Sequence, residues 1–125
     1  MSVVDSSAWL EYFASGRNAA FFAHAIENIG ERVVPTLSLY EVFKRIVQQR
    51  SENEALQVVA VMQQGRVVEL DSRIALSAAR SSIDRQRPMA DSVILATARA
   101  SKAVLWTRDS RLEGIPDVRY RKAMT

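Results

Sequence analysis

The sequence has 125 residues, 48% of them hydrophobic, and a formal net charge of +3; this length excludes two domains of ordinary size and predicts a single domain over residues 1–125. It contains no cysteine, which excludes disulfides, thiolate metal ligands and a cysteine nucleophile and favours a reducing compartment. Because no apolar run approaches the roughly 20 residues that cross a bilayer and no signal peptide is recognisable, we expect a soluble, cytoplasmic protein with no membrane partner.

The first half of the chain alternates β-branched runs with apolar residues at helical spacing. Ser2–Val4 is a β-branched run that stops at Asp5, a residue type that ends strands and caps helices. The pattern then predicts helices over 8–14 and 19–29, a strand over 32–35, and helices over 38–49 and 52–64. Ser38 and Glu41 have the S-x-x-E spacing of a capping box, which places Glu41 in the first turn of its helix.

The second half repeats this alternation. The pattern predicts a strand over 67–70, helices over 74–84 and 89–100, and strands over 103–106 and 118–120. Asp71 is the expected N-cap of the first of these helices, and the second is apolar on most faces, so we expect it to be buried. Strands that alternate with helices imply parallel crossovers. The predicted fold is a three-layer α/β/α sandwich around a parallel sheet of four to five strands.

Four acidic residues are expected at the carboxyl edge of this sheet, where open parallel sheets bind their ligands. Asp5 and Asp109 directly follow predicted strands, whereas Glu41 and Asp91 lie near the starts of helices that follow strands. With no lysine or arginine expected between them, four converging carboxylates repel one another unless cations fill the space. Mg²⁺ or Mn²⁺ held by all four acids answers that need, and hydrolysis of a phosphodiester bond is the reaction such a site suits best.

Each acid also has an ordinary structural interpretation. Asp5 is suited to cap the first helix, Glu41 to complete the capping box, and Asp109 to form an Asx-turn, while Asp91 is favoured at the positive end of its helix. Asp71 passes the same positional test, and we assign it to helix capping alone. The coincidence of four acids at one edge is what favours a metal site over these separate roles.

Several short motifs, taken in order, resemble those of the PIN-domain family, and of its VapC-like toxins in particular. They span almost the whole chain and are Val4-Asp5-Ser6-Ser7, Trp9-Leu10, Ser38-Leu39-Tyr40-Glu41, the segment from Ala90 to Ala98, and Thr107-Arg108-Asp109. The resemblance implies a Mg²⁺- or Mn²⁺-dependent endoribonuclease in which Asp5, Glu41, Asp91 and Asp109 hold metal and orient the attacking water. Leu112 stands where many relatives carry an aromatic residue.

The resemblance also implies supporting residues and partners. The hydroxyl of Ser6 or of Thr107 is expected to support the metal ligands. A cognate antitoxin is expected to silence the protein, and two copies are expected to form a homodimer. Arg108 and Arg111 are the candidate RNA-binding residues because they adjoin Asp109, and phosphate contacts of this kind give affinity without sequence choice.

Two other functions remain open from the sequence. The first is a catalytically silent module that keeps the fold and binds RNA or an antitoxin. The second is a phospho-accepting receiver domain, although Lys102 precedes its strand rather than following it. A serine–histidine–aspartate triad has only His24 to recruit, and the sequence has neither a nucleophile elbow nor a phosphate-binding loop.

Overall fold

Strands and helices alternate along residues 1–122, the part of the chain that the computed structural model describes. The strands are β1 (Ser2–Val4), β2 (Arg32–Pro35), β3 (Arg66–Val68), β4 (Val104–Thr107) and β5 (Val118–Tyr120). The helices are α1 (Ser6–Phe13), α2 (Ala19–Ile26), α3 (Thr36–Gln49), α4 (Glu52–Met62), α5 (Ser72–Arg85) and α6 (Met89–Ala100). Short 3₁₀ turns at Ile29–Glu31 and Ser110–Leu112 precede β2 and follow β4.

The strands form one parallel sheet in the order β3-β2-β1-β4-β5. The N-terminal strand β1 therefore lies at the centre, paired with β2 on one side and with β4 on the other. The predicted three-layer α/β/α sandwich with a parallel central sheet is confirmed. Because all strands run the same way, the residues that follow β1 and β4 come out at the same edge.

Alternate residues of the central strands feed two apolar cores. Val4, Val34 and Trp106 pack with residues of α1 to α4 on one side of the sheet. On the other side of the sheet, the strand residues that alternate with these, Leu105 among them, pack against α6. This two-sided burial explains why the strands are continuous apolar runs rather than alternating ones.

The helix α6 is the most buried of the helices in the described part of the chain. Every residue from Asp91 to Ala98 is buried, because α6 is packed between the sheet and α5. This confirms the burial predicted from its composition. No helix within residues 1–122 combines the length and the apolar character needed to cross a membrane.

A buried arginine at the start of β2 joins two helices to the sheet. The Arg32 guanidinium donates to the carbonyl oxygens of Ile26 at 2.7 Å and Val61 at 2.6 Å, at the ends of α2 and α4, and lies 5.0 Å from the Trp9 ring centroid. Burial lowers the pKa of Arg32. Gly65 fits closely beside it, since a Cβ there would lie 2.9 Å from the Arg32 carbonyl oxygen.

Some predicted boundaries were wrong. The helix α3 begins at Thr36 after Pro35, with no side-chain hydrogen bond capping it, so Ser38 and Glu41 form no capping box and Glu41 lies in the second turn. A proline needs no N–H partner at a helix start, which lets the helix begin early. The helix α2 ends at Ile26, three residues before the predicted end.

Candidate active site

The end of β1 places Asp5 inside the molecule and holds it with hydrogen bonds. Thr107, the last residue of the neighbouring β4, donates its hydroxyl to Asp5 Oδ2 at 2.8 Å. The backbone N–H of Ser6 donates to Asp5 Oδ1 at 2.8 Å, and the Ser7 hydroxyl donates to Oδ2 at 3.2 Å. Asp5 thus also caps α1, so its structural role and its position in the site coexist.

Glu41 reaches the same place from α3. The hydroxyl of Ser6 donates to Glu41 Oε1 at 2.6 Å. Burial raises the pKa of Glu41, and the nearby charge of Asp5 raises it further, against the hydrogen bond from Ser6. Burial likewise raises the pKa of Asp5, although its hydrogen bond from Thr107 acts in the opposite direction. Both carboxyl groups thus lie where negative charge is poorly solvated.

Asp91 and Asp109 complete the group of acids. Asp109 follows β4, and its backbone N–H donates to the Thr107 hydroxyl oxygen at 2.9 Å; Asp91 lies in the first turn of α6. Together with Asp5 and Glu41, they line a single cavity of about 710 Å³. The structure therefore brings together all four acids that the sequence singled out.

Arg111 lies among these acids, contrary to the expectation that no basic residue stands between them. Its Nη2 lies 2.8 Å from Asp109 Oδ2, and its Nε lies 3.3 Å from Asp91 Oδ2. The short 3₁₀ turn after β4 folds this side chain back, since Asp109 Oδ1 also accepts a hydrogen bond from the Arg111 backbone N–H at 2.9 Å. The sequence predicts that only metal ions offset the negative charge of the four acids. In the structure, Arg111 supplies part of that positive charge.

The pKa values of the two acids beside Arg111 are shifted in opposite directions. Burial raises the pKa of Asp91 to about 7, helped by the negative charge of Asp109 and opposed by Arg111. Burial on its own would also raise the pKa of Asp109, but the hydrogen bonds from Arg111 outweigh it and lower that pKa below its ordinary value. The pair therefore divides into an acid that readily keeps its proton and one that readily loses it.

The chemistry of the cavity suits a hard divalent cation. The four candidate ligands are all carboxylates, the donors that Mg²⁺ and Mn²⁺ prefer. Asp91 Oδ2 is buried and accepts no hydrogen bond from the described residues, so its one charged contact there is the ion pair with Arg111 Nε at 3.3 Å. Among residues 1–122, no three acidic or histidine side chains are already arranged as a metal site, so the side chains must move to share an ion.

Arg108 forms an ion pair with Glu11, an acid for which the sequence predicts no role. Its Nη1 lies 3.1 Å from Glu11 Oε2, and Glu11 also lines the cavity. The position of Glu11 near the site could have been found from its spacing. It lies four residues after Ser7 on α1, and residues four apart share a helix face. The two candidate RNA-binding arginines are therefore both paired with carboxylates in this structure.

The remaining cavity wall is partly apolar. It is formed by α1, α3 and α4, with Leu10, Phe13, Ile46 and Val58 among its lining residues. Asp71 does not line it. Its side chain instead accepts a hydrogen bond from the Ile74 backbone N–H at 2.9 Å, which confirms the predicted capping role.

Comparisons with known proteins identify a family from the sequence and a fold from the structure. The PIN-domain family profile matches residues 2–118. A toxin–antitoxin complex from Klebsiella pneumoniae contains a similar structure with 18% identity and a TM-score of 0.79, covering 94% of this chain and 95% of that one. VapC20 from Mycobacterium tuberculosis, a toxin that cleaves the sarcin–ricin loop, is 17% identical with a TM-score of 0.75, covering 95% and 99%. No curated protein matches the sequence significantly.

A DNA-bound VapBC complex from Salmonella typhimurium also contains a similar structure. It is 16% identical with a TM-score of 0.72, and the likeness covers 97% of this chain and 96% of that one. At such identities the structures establish a shared fold over nearly the full length of both chains.

Proposed function

This chain belongs to the PIN-domain family, and on that basis we propose that it is a Mg²⁺- or Mn²⁺-dependent endoribonuclease that hydrolyses RNA phosphodiester bonds. The observation that carries the proposal is the convergence of Asp5, Glu41, Asp91 and Asp109 on one cavity at the carboxyl edge of the sheet. The same acids are the proposed catalytic residues and metal ligands. Burial is the main cause of the raised pKa values of Asp5, Glu41 and Asp91, and the charge of a neighbouring acid raises each of them further.

The side chains of the site have separate roles in this proposal. A bound divalent ion would supply a Lewis acid for the phosphate and lower the pKa of an attacking water. Thr107 and Ser6 hold Asp5 in a fixed orientation, and Ser6 also holds Glu41. Asp91 offers a buried oxygen that accepts no hydrogen bond and is held only by the ion pair with Arg111. Arg111 must leave Asp91 and Asp109 before both acids can share an ion, after which its guanidinium is available to RNA phosphate.

Purified protein tests this function directly. It is expected to cut single-stranded or structured RNA when Mn²⁺ or Mg²⁺ is present and to stop when EDTA is added. Asp91→Asn removes a negative ligand and is expected to lower the cleavage rate by about 100-fold or more, as losses around metal ligands do. Asp84→Asn makes the same change on an exposed part of α5 and is expected to cut at the normal rate.

Other results of this experiment would point elsewhere. RNA binding without cleavage under any metal condition would indicate the catalytically silent module. Equal rates for Asp91→Asn and the wild-type protein would remove Asp91 from the site. The receiver-domain alternative would require labelling of Asp5 by acetyl phosphate, for which the family assignment gives no support.

We further propose that the protein is the cytoplasmic toxin of a toxin–antitoxin pair. Similar folds occur in toxin–antitoxin complexes, and the apolar wall beside the acids offers a surface for a cognate antitoxin. Induction in a heterologous bacterial host is expected to stop growth with the wild-type chain and not with Asp91→Asn. Normal growth with an active wild-type nuclease would contradict the toxin role while leaving the nuclease activity intact.

The proposed homodimer is supported by an apolar face on α5. Leu76 and Ile83 are 72% and 78% exposed, and their seven-residue spacing places them on one side of the helix. Met89, at the start of α6, is 73% exposed. Exposed apolar side chains grouped in this way are typical of protein interfaces.

A further inference from the structure

Two arginines, one in the edge strand β5 and one directly after it, lie over aromatic rings. The guanidinium of Arg119 is 5.4 Å from the Trp106 ring centroid, and that of Arg121 is 4.4 Å from the Phe21 ring centroid. Trp106 pairs in register with Arg119, so both side chains leave the sheet on the face that carries α1 and α2. We call these two arginines and the two aromatic residues the β5 patch.

The charge of the β5 patch is not neutralised within the described chain. Among residues 1–122, neither Arg119 nor Arg121 forms an ion pair with a carboxylate. Arg108 and Arg111, by contrast, both do. The next residue, Lys122, adds a further exposed positive charge. The β5 patch is therefore a cluster of positive charges that is available to bind an anion.

One backbone and one side-chain hydrogen bond link the β5 patch, through Thr107, to Asp5 in the acidic cavity. The Arg121 N–H donates to the Thr107 carbonyl oxygen at 3.1 Å. Thr107 is the residue whose hydroxyl donates to Asp5, so one residue of β4 separates the patch from a proposed metal ligand. The four residues of the β5 patch lie outside the lining of the cavity, so an RNA strand reaches them only where it leaves the cavity.

We propose that Arg119 and Arg121, held against Trp106 and Phe21, bind successive phosphates of an RNA strand that extends from the acidic cavity. The inference rests on the proposed nuclease function only for the identity of the polymer. The cation–π contact restrains each guanidinium while leaving N–H groups available to donate, and such planar donors suit phosphate oxygens. Residues two apart on a strand are about 6.6 Å apart, a spacing that matches consecutive phosphates of an extended RNA.

Fluorescence anisotropy with a short, labelled single-stranded RNA of mixed sequence tests the β5 patch. EDTA in the buffer keeps the measurement independent of cleavage. For Arg119→Gln with Arg121→Gln, the slope of log affinity against log salt is expected to fall by about 1.4, or about 25-fold weaker binding near 0.1 M salt. Each single substitution is expected to cost about 5-fold, which keeps the test valid if the double variant does not fold.

A matched control separates this site from a general effect of charge. Arg66→Gln with Arg99→Gln removes the same number of charges from exposed positions in β3 and at the end of α6, outside both the β5 patch and the lining of the acidic cavity. This control is expected to bind RNA as the wild-type protein does. Arg119→Lys with Arg121→Lys keeps the charge and is expected to bind between the wild-type and the glutamine variant, because lysine lacks the planar donors.

Three results would overturn the inference. The first is no measurable RNA binding by the wild-type protein, and the second is equal affinity in the glutamine variant and its control. The third is a glutamine variant that keeps its RNA affinity but loses binding to a labelled oligoglutamate peptide, which would assign the patch to an acidic protein. RNA binding that depends on the two arginines, without cleavage in Mn²⁺, would instead support the β5 patch and refute the nuclease function.

Discussion

Arg111 is the residue on which the state of the acidic cavity depends. Its guanidinium contacts Asp109 and lies beside Asp91, where it takes the place of a cation that four neighbouring carboxylates would otherwise require. Its side chain is 60% exposed, so it can leave without disturbing the core. A divalent ion at these acids must therefore compete with a charge that the protein itself provides.

Arg111→Gln is expected to change metal binding and metal-free stability in opposite directions. Without metal, the loss of the ion pairs lowers the free energy of unfolding by about 1 kcal/mol or less, as at other exposed pairs. With the competing charge removed, Mn²⁺ is expected to bind more tightly and to raise the melting temperature more than it does in the wild-type protein. Calorimetric titration and thermal melts with Mn²⁺ or EDTA measure both effects.

Arg85→Gln provides the comparison, since it removes a charge from the exposed end of α5. It is expected to leave the Mn²⁺ affinity unchanged. Weaker Mn²⁺ binding by Arg111→Gln would contradict competition and would indicate that Arg111 helps to assemble the metal site.

Asp91 gives the metal-free protein a pH dependence of stability. Its pKa is 3.8 in the unfolded chain and about 7 in the folded one, so the folded state binds the additional proton between these values. The free energy of unfolding is therefore expected to fall as the pH rises from about 4 to about 7. Asp5 and Glu41, whose pKa values are also raised, act in the same direction.

Urea denaturation in EDTA across this range measures the effect. Asp91→Asn is expected to flatten the fall, and Asp84→Asn to keep it. An unchanged slope in Asp91→Asn would show that Asp91 does not carry the raised pKa.

The four acids were predictable residue by residue, whereas Arg111 was not. Asp5 and Asp109 stand at strand ends, and the sequence shows this directly. Arg111 is twenty positions from Asp91, and only the turn after β4, together with the approach of α6, brings the two side chains close. Contacts of this kind depend on tertiary packing, which the spacing of residues along the chain does not specify.

At the scale of elements, the connection between α4 and β3 is constrained by one glycine. A Cβ on Gly65 would lie 2.9 Å from both the carbonyl oxygen and the Nε of Arg32. The backbone oxygen belongs to β2 and cannot move without disturbing the sheet. Position 65 therefore requires glycine because of close packing, a constraint that the sequence does not reveal.

Gly65→Ala is expected to lower the free energy of unfolding by about 1–3 kcal/mol, the usual cost of overfilling a packed site. Gly30→Ala is the matched control, because a Cβ there meets no atom within 4 Å. It is expected to change stability little. Equal urea midpoints for the two variants would show that β2 and Arg32 adjust more easily than the structure indicates.

Most elements were predictable because each is apolar at the period of its own secondary structure. The strands β2 and β5 have the predicted bounds, and α6 begins after Pro88 as expected. The predicted start of α3 was wrong because it rested on Ser38 and Glu41, which match a capping pattern. The helix begins earlier, and both side chains turn inward. Glu41 is instead the acceptor for Ser6, on a different helix.

At the scale of the whole molecule, the exposed apolar face of α5 predicts association. Leu76→Glu with Ile83→Glu places like charges opposite each other across a symmetric interface, so light scattering is expected to show one chain instead of two. Both side chains are exposed, so the melting temperature of the single chain should change little. Leu56→Glu changes an exposed leucine of α4 and is expected to leave the dimer intact. A dimeric double variant would place the interface elsewhere.

The position of β1 at the centre of the sheet has a consequence during protein synthesis. Its partner β4 is not made until residues 104–107, and Asp109 follows later still. A nascent chain that has left the ribosome only as far as α5 lacks two of the four acids, together with the threonine that orients a third. Translation therefore delays the proposed activity until nearly the whole polypeptide has emerged.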